Sequence, residues 1–554
     1  MMRFFRAAVA DGLKIPTYFI ESTARDNVDD PAYPPENLPP PLKPIKDSND
    51  AVRDIAKILA KGPHPNLVVM VHGFNNPYPV ALEMYRTAAI AIHRDDKIKG
   101  GEGLVCVGYR WPSESMGMPW RGTWDAMPTF ATWLFNIGTV LAVVPFLVFY
   151  LLPYLPDTRH WWIDPFFPFR YPVFDHVVTM IGLTLGGLVL TAALLRVIVY
   201  FRDSYRAANY GAPDLVQIIR AIDTELGKLP GRGKQNDVQL SFIGHSMGGF
   251  VVTNALRVLS NVFERPVSAL NSYGAYPSPD DEDAAAGRHR NIGNAFVLKR
   301  FVLASPDIPA ETLLSNRGNF LASMLSHFEE AYLFSNEGDE VLRQISTLAN
   351  YFTFPTKSQN YGFRLGNVEI LSSGFGLIAP EPGEDFLSLL RVGNRTISEL
   401  DVALERTRVQ QLGAAAASTH RRKPPLPERF TYFDCTDYVD TDNAGDPPTG
   451  LLTFAKNDKR HNPRGRMRWH SHLHLLFTYL VSQKPNVHAG YFEGLFSQQL
   501  IYRLACLGFA DTATAYGGEQ EMWKACSDKR VRAMLSPLLV APRQTGEVAG
   551  PPTM

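Results

Sequence analysis

The tightest constraint on this chain is a rhythm. Short runs rich in apolar residues stop abruptly at turn residues, with helix-compatible segments between them. Residues 66–71 run into His72-Gly73, 104–109 into Trp111-Pro112-Ser113, and 238–243 into Gly244. Residues 296–304, 331–334 and 430–435 continue the series, and 15–20 precedes it. Residues 51–60, 79–93, 213–227 and 249–259 read as helices in the gaps. A strand covered by helices on both faces has to be apolar on both faces, so continuous rather than alternating runs signal a parallel sheet. The pattern predicts an α/β fold: a mostly parallel sheet flanked by helices.

One stretch breaks the rhythm. Between Asp125 and Asp157 there is no Asp, Glu, Lys or Arg. Residues 129–152 (TFATWLFNIGTVLAVVPFLVFYLL) are long enough to cross a bilayer, which takes about 20 residues. A second charge-free run, 177–195, extends to about residue 199 if Arg196 snorkels. The loop between the runs carries Trp161, Trp162, Phe166, Phe167, Phe169 and Tyr171, an interface-like aromatic content. The sequence therefore predicts an inserted two-helix transmembrane hairpin, with the lipid bilayer as a partner. Arg110, Arg121, Arg202 and Arg206 flank it, while its loop holds only Arg159 and Arg170. That bias puts both ends, and the catalytic part of the chain, on the cytoplasmic side.

The expected organisation has five parts. Residues 1–115 and 204–484 form two halves of one α/β domain, interrupted by the hairpin insertion at 116–203. Mobile insertions are expected at 278–290 and 413–427, a C-terminal helical segment at 485–541, and a disordered tail at 542–554. Lys+Arg and Asp+Glu both number 55, so the net charge is zero, which excludes a dedicated nucleic-acid surface. It does not oppose a membrane, because the anchor is apolar rather than electrostatic. The 4 cysteines include no C-x-x-C pair and are too few for a disulfide framework.

The chemistry concentrates at Gly244-His245-Ser246-Met247-Gly248-Gly249. An apolar strand enters this motif and a helix-compatible segment leaves it. That is the strand–turn–helix setting of a nucleophile elbow, which lifts a serine hydroxyl above the sheet edge at the positive end of the next helix. A second turn, His72-Gly73-Phe74-Asn75-Asn76, ends an earlier buried strand. His72 reads as a shaper of that turn, and Asn75 and Asn76 either orient the loop or cap the next helix.

With HGFNN at 72–76, WPS at 111–113, GHSMGG at 244–249 and LASPDI at 303–308, the chain resembles an α/β-hydrolase-superfamily serine hydrolase. It is most similar to an uncharacterised bacterial group with H-G-[FY]-N-N and G-H-S-M-G motifs. The hairpin departs from that plain fold. The resemblance implies an oxyanion hole from the amides of Phe74 and Met247, and a triad in the order Ser, acid, His. Ser246 would be the nucleophile. Asp339, after the strand at 331–334, is the preferred acid, with Glu337 able to substitute and Asp307 as the alternative. Six histidines follow Asp339. His470, in Trp469-His470-Ser471-His472-Leu473-His474, is the preferred base and His472 the alternative.

The His-x-His-x-His spacing could suggest a metal, but no H-E-x-x-H motif or cysteine pair accompanies it, and no phosphate loop is present. No cofactor or metal is expected. The implied function is a membrane-anchored, esterase- or lipase-like enzyme of the bacterial inner membrane, cleaving a small-molecule or lipid ester through an acyl-enzyme. The rivals are a non-catalytic membrane scaffold or interaction protein on the same fold, and a soluble enzyme whose apolar hairpin is a lid.

Overall fold

In the computed structural model, strands end where the sequence stops being apolar. The described residues are 2–7, 15–24, 42–45, 47–76, 78–98, 103–113, 199–229, 238–259, 291–293, 295–310, 325, 327–347, 363–401, 426–454, 467–481 and 485–539. They fall into two units, Met1–Ser113 with Ser204–Met554, and Glu114–Asp203. The second unit is described only at residues 199–203, which are helical.

The first unit is built on a sheet of β1 (Arg3–Ala7), β2 (Thr17–Glu21), β3 (Leu42–Ile45), β4 (Asn66–Val71), β5 (Leu104–Arg110), β6 (Val238–His245), β7 (Asn291–Ile292), β8 (Phe296–Ala304), β9 (Glu330–Ser335), β11 (Gly376–Leu377), β14 (Phe430–Asp434) and β15 (Arg532–Met534). Its order is β11-β15-β14-β9-β8-β6-β4-β5-β2-β1-β3, with β7 paired to β8. Along that order every neighbour from β2 to β14 is parallel, and only the short β7 beside β8 is antiparallel. β1 and β15 turn antiparallel at the two flanks. A small separate sheet joins β10 (Glu369–Ile370), β12 (Leu390–Val392) and β13 (Arg395–Thr396). The expected mostly parallel sheet is therefore present.

Helices cover both faces. α1 (Ser48–Lys61), α3 (Ala212–Gly227) and α4 (Met247–Leu259) pack against one another on one face. α2 (Tyr78–Arg94) lies on the other with α6 (Leu495–Cys506), which packs on β4, β6 and β8. α5 (Trp469–Val481), α7 (Phe509–Ala515) and α8 (Glu519–Asp528) complete the set. Every residue of β4 and β5 is buried, as strands between two helical layers require.

Some elements differ from expectation. Residues 42–45 carry no continuous apolar run, yet they form β3 against β1, where Pro44 is tolerated on an edge strand. The C-terminal segment adds β15 to the sheet beside its three helices. The spans 129–152 and 177–198, the insertion 278–290, the tail 542–554 and all of 413–427 except Leu426 and Pro427 lie outside the described residues. Among the described residues, no helix is long and apolar enough to cross a membrane.

Candidate active site

Ser246 sits between the end of β6 and the start of α4, with a left-handed φ of 52°. A non-glycine residue stays there only when its surroundings force it. Here the Ser246 amide donates to the Ala304 carbonyl at 3.0 Å, while its own carbonyl accepts from Gly249 at 3.0 Å and Asp307 at 3.1 Å. The turn also needs glycine at close approaches. A Cβ on Gly248 would lie 2.2 Å from the Val71 carbonyl oxygen, and one on Gly73 would lie 2.7 Å from Ser246 Cβ. The elbow and the turn after β4 are thus pressed together backbone to backbone.

That second turn is a hydrogen-bonded unit with the segment after β5. His72 is fully buried, and burial, helped by the Arg110 charge, pushes its imidazole down to about 3, so the ring is neutral. Its Nδ1 lies 2.7 Å from the Gly73 carbonyl oxygen and donates to it. The Asn76 side-chain amide donates to the same oxygen at 3.1 Å and to that of Phe74 at 3.2 Å. Trp111 stacks on His72 at 5.3 Å and its Nε1 donates to the His72 carbonyl. Ser113 Oγ accepts from the Asn76 amide at 3.3 Å. Because a trans peptide points its C=O and N–H in opposite directions, anchoring the Gly73 carbonyl fixes the direction of the Phe74 N–H. Met247, the other residue expected to bind an oxyanion, is the first of α4 and is buried. Its amide belongs to the helix's first turn, where no preceding carbonyl is available.

Asp339 lies in the loop after β9 and is fully buried. Its Oδ1 accepts from the amides of Val341 at 3.1 Å and Leu342 at 3.2 Å. Its Oδ2 accepts from Ser305 Oγ at 2.5 Å and from His488 Nδ1 at 2.7 Å. The other ring nitrogen of His488, Nε2, is 2.8 Å from Ser246 Oγ. An unbroken chain runs from Asp339 through His488 to Ser246. Burial disfavours the His488 imidazolium, but the Asp339 charge and hydrogen bond, with a further contribution from Asp307, outweigh it and raise its pKa above the usual histidine value.

The imidazole that joins Ser246 to Asp339 is therefore not that of His470 or His472. Both sit inside α5, where His470 is half-buried beside the Trp469 ring and the Nδ1 of His472 is held by Glu340 at 2.5 Å. Asp307 is engaged with Arg364 at 3.2 Å and Ser346 at 3.1 Å. The Glu337 amide binds Thr436 and its carboxylate lies 3.8 Å from Arg391.

Helix direction explains why His488 is the residue delivered. The C-terminal carbonyl of α6, on Cys506, accepts from Asn66 at the start of β4. The N-terminus of α6 therefore points to the opposite end of the strands, where Ser246 is, and His488 lies in the turn just before it. The available signal was that turn itself, Pro485-Asn486-Val487-His488-Ala489-Gly490 ahead of an amphipathic helix. Asn486 closes it, its carbonyl accepting from Gly490 at 2.8 Å and its side chain from Ala489 at 3.0 Å. Among the described residues, no group of three or more His, Cys, Asp or Glu side chains could hold a metal ion.

Residues 47–119 and 195–351 match the model of a family described as alpha/beta hydrolase of unknown function (DUF900). The matched segments contain both turns, Ser246 and Asp339, and pass over residues 120–194. The match supports a place in the α/β-hydrolase superfamily. No curated protein and no solved structure gives a significant match.

Proposed function

We propose that this chain is a membrane-anchored serine hydrolase that cleaves a carboxylic ester through an acyl-enzyme, with Ser246 as nucleophile, His488 as base and Asp339 as acid. The observation that carries the reading is the chain of 2.7 Å and 2.8 Å hydrogen bonds linking Asp339, His488 and the hydroxyl of a serine on a strained elbow.

The chemistry follows from these positions. Ser246 Oγ attacks the ester carbonyl carbon as its proton passes to His488 Nε2. Asp339 stabilises the resulting imidazolium and holds the ring in the tautomer that leaves Nε2 free to accept. The carbonyl oxygen becomes an oxyanion facing the amides of Phe74 and Met247. Each such fixed donor is worth about 3 kcal/mol in the transition state. Collapse breaks the ester C–O bond, and His488 returns the proton to the departing alkoxide. Water then attacks the acyl-enzyme with His488 again as base. The acid leaves and Ser246 is restored.

The membrane part of the reading rests on sequence: the charge-free runs 129–152 and 177–195, and a family match that resumes on their far side. Anchoring on the cytoplasmic side of a bacterial inner membrane would bring lipid-like esters within reach. A fluorophosphonate probe tests the chemistry: wild type is labelled and Ser246→Ala is not. Equal labelling of both, or none of wild type, sinks the enzyme reading and leaves the scaffold. Extraction of membranes with alkaline carbonate tests the anchor, and release of the chain into the supernatant counts against it.

A further inference from the structure

Asp339 Oδ2 serves two donors, and only one is the base. The other is Ser305, the residue that follows β8, whose Oγ lies 2.5 Å from that oxygen. Ser305 is fully buried and has a φ of 45°, a left-handed backbone that glycine would adopt without strain. Its amide is tied to the Phe334 carbonyl at 2.9 Å. Gly366 closes over it so tightly that a Cβ there would lie 2.8 Å from the Ser305 carbonyl carbon. A serine kept where glycine fits better indicates that the hydroxyl is used.

We propose that Ser305 is a positioning residue for the triad acid, its hydroxyl fixing the Asp339 carboxylate and setting how strongly that carboxylate attracts the His488 proton. The proposal rests on the reading of Ser246, His488 and Asp339 as a triad. With Oδ1 held by two amides and Oδ2 by Ser305, the carboxylate cannot rotate away from the ring. The Ser305 hydrogen bond also draws negative charge from Oδ2, the oxygen His488 uses. Without it, Oδ2 would hold the imidazolium proton more tightly and the carboxylate would be less firmly aimed.

The other ionisable groups around the pair are accounted for. His245, on β6, is neutral, pushed down to about 3 mainly by burial. Burial raises Tyr491, three residues after His488, well above its usual value, and its hydroxyl is turned toward that of Ser305, which opposes the rise. Asp307 is paired with Arg364, Glu340 with His472, and Glu337 lies near Arg391. The Asp307, Glu340 and Glu337 pairs do not involve the Ser305 hydroxyl.

The test uses the full chain in detergent, with p-nitrophenyl butyrate as probe ester and the variants Ser305→Ala and Ser305→Gly. Fluorophosphonate labelling of wild type but not Ser246→Ala is established first. In both variants kcat/KM on the plateau is expected to fall roughly tenfold to a hundredfold, the size of one hydrogen bond to a charged group. The acid limb of the pH profile should move up by about half a unit to one unit. The low-field Nδ1–H proton resonance of His488, followed without substrate, should titrate with the same upward shift. Wild-type-like profiles in both variants would overturn the proposal. So would full recovery in Ser305→Gly with loss only in Ser305→Ala, since that marks backbone strain as the whole effect. If wild type neither labels nor hydrolyses, the triad reading fails by itself. The resonance still decides whether Ser305 governs the Asp339–His488 pair.

Discussion

The carbonyl oxygen of His488 lies 3.0 Å from Nε2 of His245, the residue immediately before Ser246. With its pKa near 3, His245 is neutral across any working pH, so this contact is an N–H donated to a carbonyl. The strand that leads into Ser246, the proposed nucleophile, thus also holds the backbone of the residue proposed to be its base. A glutamine places an N–H at nearly the same distance from the backbone, whereas leucine offers none. His245→Leu should lower kcat by roughly tenfold to a hundredfold with KM little changed, and His245→Gln should stay within a few-fold of wild type. Steady-state kinetics on a chromogenic ester decide it, and equal losses in both variants would assign the effect to packing.

The acid limb of the activity profile should lie above the usual histidine range. General-base action needs neutral His488, and the net effect of its surroundings is to raise its pKa above 6.5. Activity therefore climbs with pH through a midpoint higher than 6.5. Asp339→Asn removes the charge that overcomes burial, so the His488 titration should drop below its ordinary value. Plateau kcat should fall by roughly a thousandfold or more, as when a triad acid is neutralised. A pH series for wild type, with proton NMR of the ring for the weak variant, measures both. A wild-type midpoint below 6.5 would contradict the argument.

What could be read in the sequence follows from how local each signal is. The strands β4, β5, β6, β8, β9 and β14 were legible because burial on both faces leaves a continuous apolar run. The elbow was legible because glycine at 244 and 248 and a serine between them answer one local steric demand. Asp339 was reachable by counting strands, since it occupies the turn after β9. His488 was not, because its place depends on α6 packing antiparallel to the strands far away in the sequence. His470 and His472 were favoured by motif likeness alone, and a helix absorbs both. β3 was hidden because an edge strand needs no apolar run on either face.

The same contrast separates the histidines by experiment. His488→Ala should abolish hydrolysis to within roughly the residual level left by binding and oxyanion contacts, a loss on the order of a millionfold if the triad acts as a unit. His470→Ala should leave kcat within a few-fold, since nothing in the hydrogen-bonded chain involves it. His472→Ala leaves buried Glu340 with Gln344 but without its imidazole partner, so it should lower the melting temperature while leaving the pH midpoint of kcat/KM in place. Loss of activity in His470→Ala with His488→Ala still active would return the base to α5.

The far edge of the sheet offers a test of stability. Arg532 on β15 and Asp437, just beyond β14, form an ion pair at 2.7 Å in which both side chains are fully buried. The guanidinium also donates from Nε to the Ser372 carbonyl at 2.9 Å and sits 4.7 Å from the Phe375 ring centroid. Removing one charge leaves the other in a medium that solvates it poorly, so Asp437→Ala should cost about 3–5 kcal/mol of unfolding free energy. Replacing both by apolar residues of similar volume removes the uncompensated charge. The double variant Asp437→Leu with Arg532→Met should therefore recover most of that loss, although the Ser372 carbonyl forfeits a donor. Urea unfolding followed by tryptophan fluorescence reads both. Equal stability of Asp437→Ala and wild type would show that solvent reaches the guanidinium, contrary to its burial between β14 and the Phe375 ring.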